Sequence, residues 1–79
     1  RELPIYILGK RFVLDGYDPI TNTAYEYFGD FWHGNPEKYN DNDINPVTGT
    51  TFGELYRHTL SKIELIKNAN YNLIYIWGP

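Results

Sequence analysis

The segment Tyr71–Trp77 limits most strongly how this chain can fold. It reads YNLIYIW, and nearly all of its residues are aromatic or aliphatic. Such residues are typical of β-strands, where large or branched side chains pack well on a pleated surface. The run follows a helical pattern after only a few residues, so a helix and a strand must lie close together. We therefore expect a domain in which one main helix packs on a β-sheet.

The residues before this strand predict the helix. Thr51 and Glu54 have the spacing of a capping box, in which a Thr side chain caps the first turn. We expect the helix to end at Asn68–Asn70, with Asn70 in the left-handed conformation. One stripe of residues at helical spacing would face the sheet: Phe52, Leu55, Tyr56, Thr59, Ile63 and Ile66.

Three strand patterns precede the helix. They are Leu3–Leu8, Lys10–Tyr17 and Thr23–Gly29, and Asp18-Pro19 marks a turn between the last two. Residues 30–50 read as an irregular loop, which is uncommon in so small a domain and often functional. The predicted fold is α/β (α+β): a small mixed sheet of three to four strands with one main helix, as a single domain over residues 1–79.

Composition excludes several classes of protein. The 79 residues include no cysteine, so disulfides and thiolate zinc sites are ruled out. A net charge of −3 counts against a protein that coats DNA through a broad basic surface, but less against a nuclease with a cation-binding acidic site. No apolar run is long enough to predict a membrane partner. Because the sequence begins without Met and ends directly after a strand pattern, we expect a piece of a longer protein.

Two acidic residues are candidates for a metal site. Asp15 lies late in the second strand pattern and Glu26 lies in the middle of the third. Neighbouring antiparallel strands bring such side chains together, and two carboxylates can hold Mg²⁺. Since Asp15 alternates with Val13 and Tyr17, we expect a bulge or twist near Gly16 to aim it. From spacing alone, two solvated strand carboxylates are the alternative interpretation.

Seven residues after Glu26 comes His33, within the block Gly29–Gly34 (GDFWHG). A histidine can accept a proton from an attacking water or donate one to a leaving oxygen. Phe31 and Trp32 could stack on bases or wedge between them. The alternatives are a structural hydrogen-bonding role for His33 and core packing for the two aromatic residues.

The segments 12–17 (FVLDGY) and 25–36 (YEYFGDFWHGNP) resemble the endonuclease fold of very-short-patch-repair enzymes. They are more similar still to relatives in phages, large DNA viruses and organellar DNA polymerases. The resemblance continues through the helix start and the last strand and covers about residues 10–77. It implies a restriction-endonuclease-like core of the PD-(D/E)xK class, truncated at its N-terminus.

This resemblance implies roles for several residues. Asp15, Glu26 and the Tyr27 backbone carbonyl would bind Mg²⁺ or Mn²⁺. Asp15, Glu26 and His33 would be catalytic. The nucleic-acid-binding residues would be Phe31, Trp32 and Lys62. The implied protein is an intracellular bacterial, phage or viral hydrolase that nicks DNA in repair, recombination or a mobile-element context.

The chain departs from the family pattern at its catalytic cation. Phe28 stands where these enzymes have Lys, His or Asn, and such a donor contributes about 2–4 kcal/mol of transition-state stabilisation. His33 or Lys62 could take over that role. The nearest candidates for a second proton-transfer group are His58, Thr59 and Lys62.

Other departures concern zinc and the N-terminus. Asp30, Asn35 and Pro79 stand where the repair enzymes have zinc ligands, so we expect no structural zinc. Gly78 replaces the Glu that usually follows the last Trp. The upstream helix that carries a further acidic residue is absent from the sequence, and Glu2 is the candidate substitute.

Three functions remain open from the sequence. The first is a metal-dependent DNA endonuclease. The second is a catalytically inactive DNA-binding or interaction module that retains the nuclease fold, and the third is a fragment of a larger replication or recombination protein. The edge strand and the aromatic content also make a homodimer or a domain swap a reasonable expectation.

Overall fold

The computed structural model describes residues 3–79, which fold into five strands, one four-residue helix and one main helix. The predicted α+β class with one main helix is confirmed. Glu2, the candidate substitute for the missing acidic residue, lies outside the described residues. The elements in chain order are β1 (Leu3–Ile7), β2 (Lys10–Leu14), β3 (Gly16–Asp18), β4 (Thr23–Gly29), α1 (Asp30–His33), α2 (Phe52–Asn68) and β5 (Asn72–Gly78).

The described strands form two small sheets rather than one. β1 and β2 form an antiparallel hairpin, while β3, β4 and β5 form a mixed sheet in which β4 is antiparallel to β3 and parallel to β5. The prediction of one strand over Lys10–Tyr17 was wrong, because the strand breaks at Asp15. There the Asp15 N–H donates to the Glu26 side chain instead of continuing the backbone ladder that pairs Gly16 with Tyr25.

The main helix begins and ends as predicted. Thr51 caps it, and the Thr51 hydroxyl accepts a hydrogen bond from the Glu54 N–H at 3.1 Å. After the helix, Asn70 has a φ of 70°, the left-handed conformation that turns the chain into β5. No helix in the described part of the chain, α2 included, is long and apolar enough to cross a membrane.

The core lies where α2 meets both sheets. Ile66 of α2 is fully buried and packs with Leu14 of β2 and Ala24 of β4. Along β4, Ala24, Glu26 and Phe28 are buried whereas Tyr25 and Tyr27 are exposed, as the alternating pattern predicted. Glu26 therefore sits on the buried face of the sheet, among core residues.

The segment predicted as irregular loop contains the short helix α1. The prediction missed it because a single helical turn is too short to show a hydrophobic period. The rest of the loop is held by Asn45, which is fully buried. Its Nδ2 donates to the Phe31 carbonyl at 3.0 Å, and its Oδ1 accepts from the Val47 N–H at 2.8 Å. This anchoring fixes α1 relative to the loop.

Candidate active site

Asp15 and Glu26 are linked across β3 and β4 by a reciprocal pair of hydrogen bonds. The Asp15 N–H donates to Glu26 Oε2 at 3.0 Å. The Tyr27 N–H donates to Asp15 Oδ2 at 2.8 Å. Each carboxylate thus accepts a backbone N–H from the opposite segment, directly beyond the last backbone pair of the ladder. The break in the strand is what brings the two acidic residues together.

A lysine of the main helix neutralises Glu26. The Glu26 side chain is only 2% exposed, and the Lys62 ammonium contacts its Oε1. Within residues 3–79 this oxygen has no other hydrogen-bond partner, so the ionic contact is what compensates it. A buried carboxylate without a cation would be costly, because it loses its hydration. Lys62 therefore provides the buried Glu26 side chain with an ionic partner.

Phe28 belongs to the core and not to the charged cluster. It is 1% exposed, and its ring centroid lies 5.0 Å from that of His33 and 5.4 Å from that of Tyr75. The sequence left His33 and Lys62 as alternatives for the missing cation beside Glu26. In the structure Lys62 contacts Glu26, while His33 packs against Phe28.

His33 ends α1 and is fixed by Thr59 of α2. Its Nδ1 lies 3.1 Å from Thr59 Oγ1. The Thr59 hydroxyl also donates to the Leu55 carbonyl at 2.9 Å. A hydroxyl has one proton to donate, so while it donates to the Leu55 carbonyl it can accept a hydrogen bond from His33 Nδ1–H. This arrangement favours the tautomer that leaves the Nε2 lone pair available.

The surroundings of His33 favour its neutral form. Burial is the largest cause that lowers the pKa of His33 below its ordinary value of 6.5, and the Lys62 ammonium lowers it further. His58 acts in the same direction and Asp15 opposes it. Near neutral pH the imidazole is consequently neutral and can accept a proton.

Two cavities lie beside these residues. A basic cleft of about 500 Å³ runs between β2 and α2 and is lined by Lys10, Arg11, Phe12, Val13, His33, His58, Thr59 and Lys62. A carboxylate pocket of about 270 Å³ is lined by Asp15, Gly16, Tyr25, Glu26, Tyr27, Ile74, Tyr75 and Ile76. The structure thus places His33 and Asp15 in different cavities. The Lys62–Glu26 ion pair connects them.

The predicted aromatic wedge is divided between interior and surface. The Phe31 ring lies 5.7 Å from the Phe52 ring and 6.0 Å from the Tyr39 ring, within an aromatic cluster under the loop. Trp32 is 53% exposed. Neither residue lines one of the two cavities. Of the two, Trp32 has the ring surface that a base could reach.

The positions that resemble zinc sites carry hydrogen bonds instead. Asp30 and Asn35 are both 8% exposed, and Asn35 Nδ2 donates to Asp30 Oδ1 at 2.9 Å. This bond closes the turn that contains His33. At the far end of the chain, the Pro79 carbonyl accepts a hydrogen bond from the Tyr27 hydroxyl at 2.7 Å.

Among the predicted metal ligands, Asp15 has a carboxylate oxygen left to bind a hard cation. Mg²⁺ is commonly bound by one or two carboxylates and retains several waters. Asp15 is exposed and lines the carboxylate pocket. Of its two carboxylate oxygens, only Oδ2 accepts a hydrogen bond from residues 3–79. Glu26 would join such an ion when Lys62 releases its Oε1. Residues 3–79 contain no cluster of three or more His, Asp or Glu residues suited to a metal.

Sequence reasoning missed Lys10 and Arg11, which line the basic cleft. The available signal was their position as consecutive cations at the start of a strand. Comparison with known proteins adds no relative, since no protein family, curated protein or solved structure matches the chain. What the chain does is therefore inferred from its own residues.

Proposed function

We propose that this protein is a metal-dependent endonuclease that hydrolyses phosphodiester bonds of DNA. One observation carries the proposal: Asp15, Glu26 and Lys62 form a connected chain of contacts, and Lys62 shares the basic cleft with a neutral His33. Acids, an ammonium group and a proton acceptor are groups that can promote phosphodiester hydrolysis. The motif resemblance to very-short-patch-repair endonucleases supports the same function.

Each residue has a distinct role in this proposal. Asp15, Glu26 and the Tyr27 carbonyl would hold Mg²⁺ or Mn²⁺, which would lower the pKa of a water and neutralise charge on the phosphate. His33 Nε2 accepts a proton from the attacking water. Lys62 compensates Glu26 in the resting protein and attracts phosphate oxygens into the cleft.

A catalytically inactive DNA-binding module is the second candidate function. It is favoured by the engagement of both Glu26 oxygens, one by the Asp15 N–H and the other by Lys62. Because Lys62 already balances the charge of Glu26, no metal ion is required for charge compensation at this carboxylate. The two functions differ in whether Lys62 gives up Glu26 when Mg²⁺ and DNA are present. Either could operate within a larger replication protein.

Nicking of supercoiled plasmid with Mg²⁺ or Mn²⁺ across pH 6–9 tests the proposal. We expect wild-type protein to produce open circles and excess chelator to stop it. Asp15→Asn and His33→Ala should each slow nicking by about 10²-fold or more, since each removes a group that acts in the reaction. Glu64→Gln changes an exposed acid on the same helix as Lys62 and should leave the rate unchanged. If folded wild-type protein leaves the plasmid supercoiled, the inactive module is the correct function.

A further inference from the structure

Three of the seven Lys and Arg residues line one cleft together with both histidines. The sequence has seven Lys and Arg residues, ten Asp and Glu residues and two His residues. The basic cleft is lined by Lys10, Arg11 and Lys62 and by both histidines, and by no acidic residue of the described chain. A surface of this kind attracts anions even though the whole molecule carries a charge of −3.

Two of these cations form no ion pair within residues 3–79. Lys10 and Arg11 are exposed at the start of β2. Within residues 3–79 the ion pairs are Arg57 with Asp41 and Lys62 with Glu26, so neither Lys10 nor Arg11 is neutralised there. Both residues line the cleft, where an external anion can approach them.

The form of the cleft indicates which anion. Its basic residues lie on two walls, with Lys10 and Arg11 on β2 and His58 and Lys62 on α2. A single phosphate is usually bound by donors that converge on one point, whereas cations spread over an open cleft suit phosphates repeated along a chain. An element that reads the bases of a duplex enters one of its grooves, whereas these basic residues line a concavity.

We propose that the basic cleft binds the sugar–phosphate backbone of a single DNA strand, through Lys10 and Arg11 on one wall and His58 and Lys62 on the other. This inference rests on the proposed function and names its substrate as DNA with an unpaired stretch. A strand in the cleft brings its phosphates to His33, which lines the same cavity. Trp32, adjacent in sequence and 53% exposed, provides a stacking surface for a base that leaves the cleft.

Fluorescence anisotropy with a labelled oligothymidylate of about 20 nucleotides, in chelator so that no cleavage occurs, tests this proposal. The double variant Lys10→Gln/Arg11→Gln should weaken binding on the order of tenfold. It should also reduce the slope of log K against log salt by about 1–1.5, as expected when two phosphate contacts are lost. The matched control Lys38→Gln/Lys67→Gln removes two exposed charges outside the cleft and should change affinity by less than about twofold.

Several results would overturn the inference. One is an equal loss of affinity in the control variant, which would indicate general charge attraction. Others are the absence of binding by wild-type protein and tighter binding of the matching duplex than of the single strand. If the double variant does not fold, the single variants Lys10→Gln and Arg11→Gln decide, each with an expected loss of about threefold.

The outcomes also separate this inference from the proposed function. Binding that depends on Lys10 and Arg11 without nicking by wild-type protein would remove the endonuclease activity and keep the strand-binding cleft. Nicking that is unaffected by the double variant, at DNA concentrations below saturation, would keep the endonuclease and remove the cleft as its strand-binding surface.

Discussion

His33 Nδ1 lies 3.1 Å from the hydroxyl oxygen of Thr59, which is itself 2% exposed. The contact joins the end of α1 to the middle of α2, so a buried polar group of the main helix determines the orientation of the imidazole. While the Thr59 hydroxyl donates to the Leu55 carbonyl it can accept from Nδ1–H, which favours that tautomer of the histidine. Thr59 is thus a positioning residue for His33.

Thr59→Val should allow His33 to populate its other tautomer while preserving the shape of the helix. Valine keeps the branched side chain but cannot accept the Nδ1–H hydrogen bond. Long-range ¹H–¹⁵N NMR of the imidazole should show the Nδ1–H tautomer in wild-type protein and an increased Nε2–H population in the variant. Thr59→Ser should restore the wild-type spectrum. A wild-type spectrum dominated by Nε2–H would contradict this role for Thr59.

The pKa of His33 should respond in opposite directions to two neighbouring charges. Lys62→Gln removes a cation that lowers the pKa of His33 and should raise it toward 6.5, whereas Asp15→Asn removes an anion and should lower it further. An NMR titration of the imidazole signals checks both shifts. Shifts of the same sign would show that altered burial, which is the largest cause, dominates over the two charges.

The lowered pKa also has a consequence for stability, since protonation of His33 is easier in the unfolded chain. The neutral form contributes stability that is fully present above pH 6.5 and is lost as the pH falls through the pKa of the folded protein. Urea unfolding between pH 7.5 and 5 should therefore show a decrease in stability that is smaller in His33→Asn. An equal decrease in both proteins would assign it to other groups.

The elements that were predictable from sequence are those with local signals. The capping residue Thr51, the left-handed Asn70 and the alternation along β4 each depend on neighbours within a few positions. The alternation predicted a bulge or twist near Gly16, but the complete break of the strand at Asp15 could not be predicted in the same way. The break depends on a hydrogen bond from the Asp15 N–H to the side chain of Glu26, eleven residues away. The alternation of apolar residues does not show whether a backbone N–H will donate to a backbone carbonyl or to a side chain.

The candidate site shows the same limit. Asp15, Glu26 and His33 were identified from their spacing and from the motif resemblance, because they lie within one stretch of chain. The contacts that tune them come from α2: Lys62 to Glu26, and Thr59 to His33. The helical period predicted that Thr59 faces inward. Its partner became evident only when the packing of α2 on α1 was known.

Lys62→Met should destabilise the protein by about 3 kcal/mol, because it leaves the nearly fully buried Glu26 carboxylate without its cation. Glu26→Gln should cost less, since an amide oxygen can still accept from the Asp15 N–H and Lys62 can extend toward solvent. The double variant should be more stable than Lys62→Met alone. Urea unfolding at pH 7 measures all three.

Lys67→Met is the matched control for this ion pair. Lys67 is exposed on the last turn of the same helix, so its replacement should change the free energy of unfolding by no more than about 0.5 kcal/mol. Equal costs for Lys62→Met and Lys67→Met would show that the contact with Glu26 does not stabilise the fold.

Gly34→Ala should be strongly destabilising, because Gly34 meets two constraints at once. Its φ of 69° is left-handed, and a Cβ at this position would overlap the Phe52 carbonyl oxygen and lie 2.9 Å from the Tyr56 nitrogen.

Gly49 is the matched control, since it has a similar φ of 76° but no atom within 4 Å of where its Cβ would lie. Gly49→Ala should therefore cost only the backbone term of about 1–2 kcal/mol. Gly34→Ala should cost about 3 kcal/mol or more and shift the His33 imidazole signals, since α1 must move away from α2. Equal costs in urea unfolding would mean that α1 can separate from α2 without penalty, and that the close packing of these helices does not hold His33 in place.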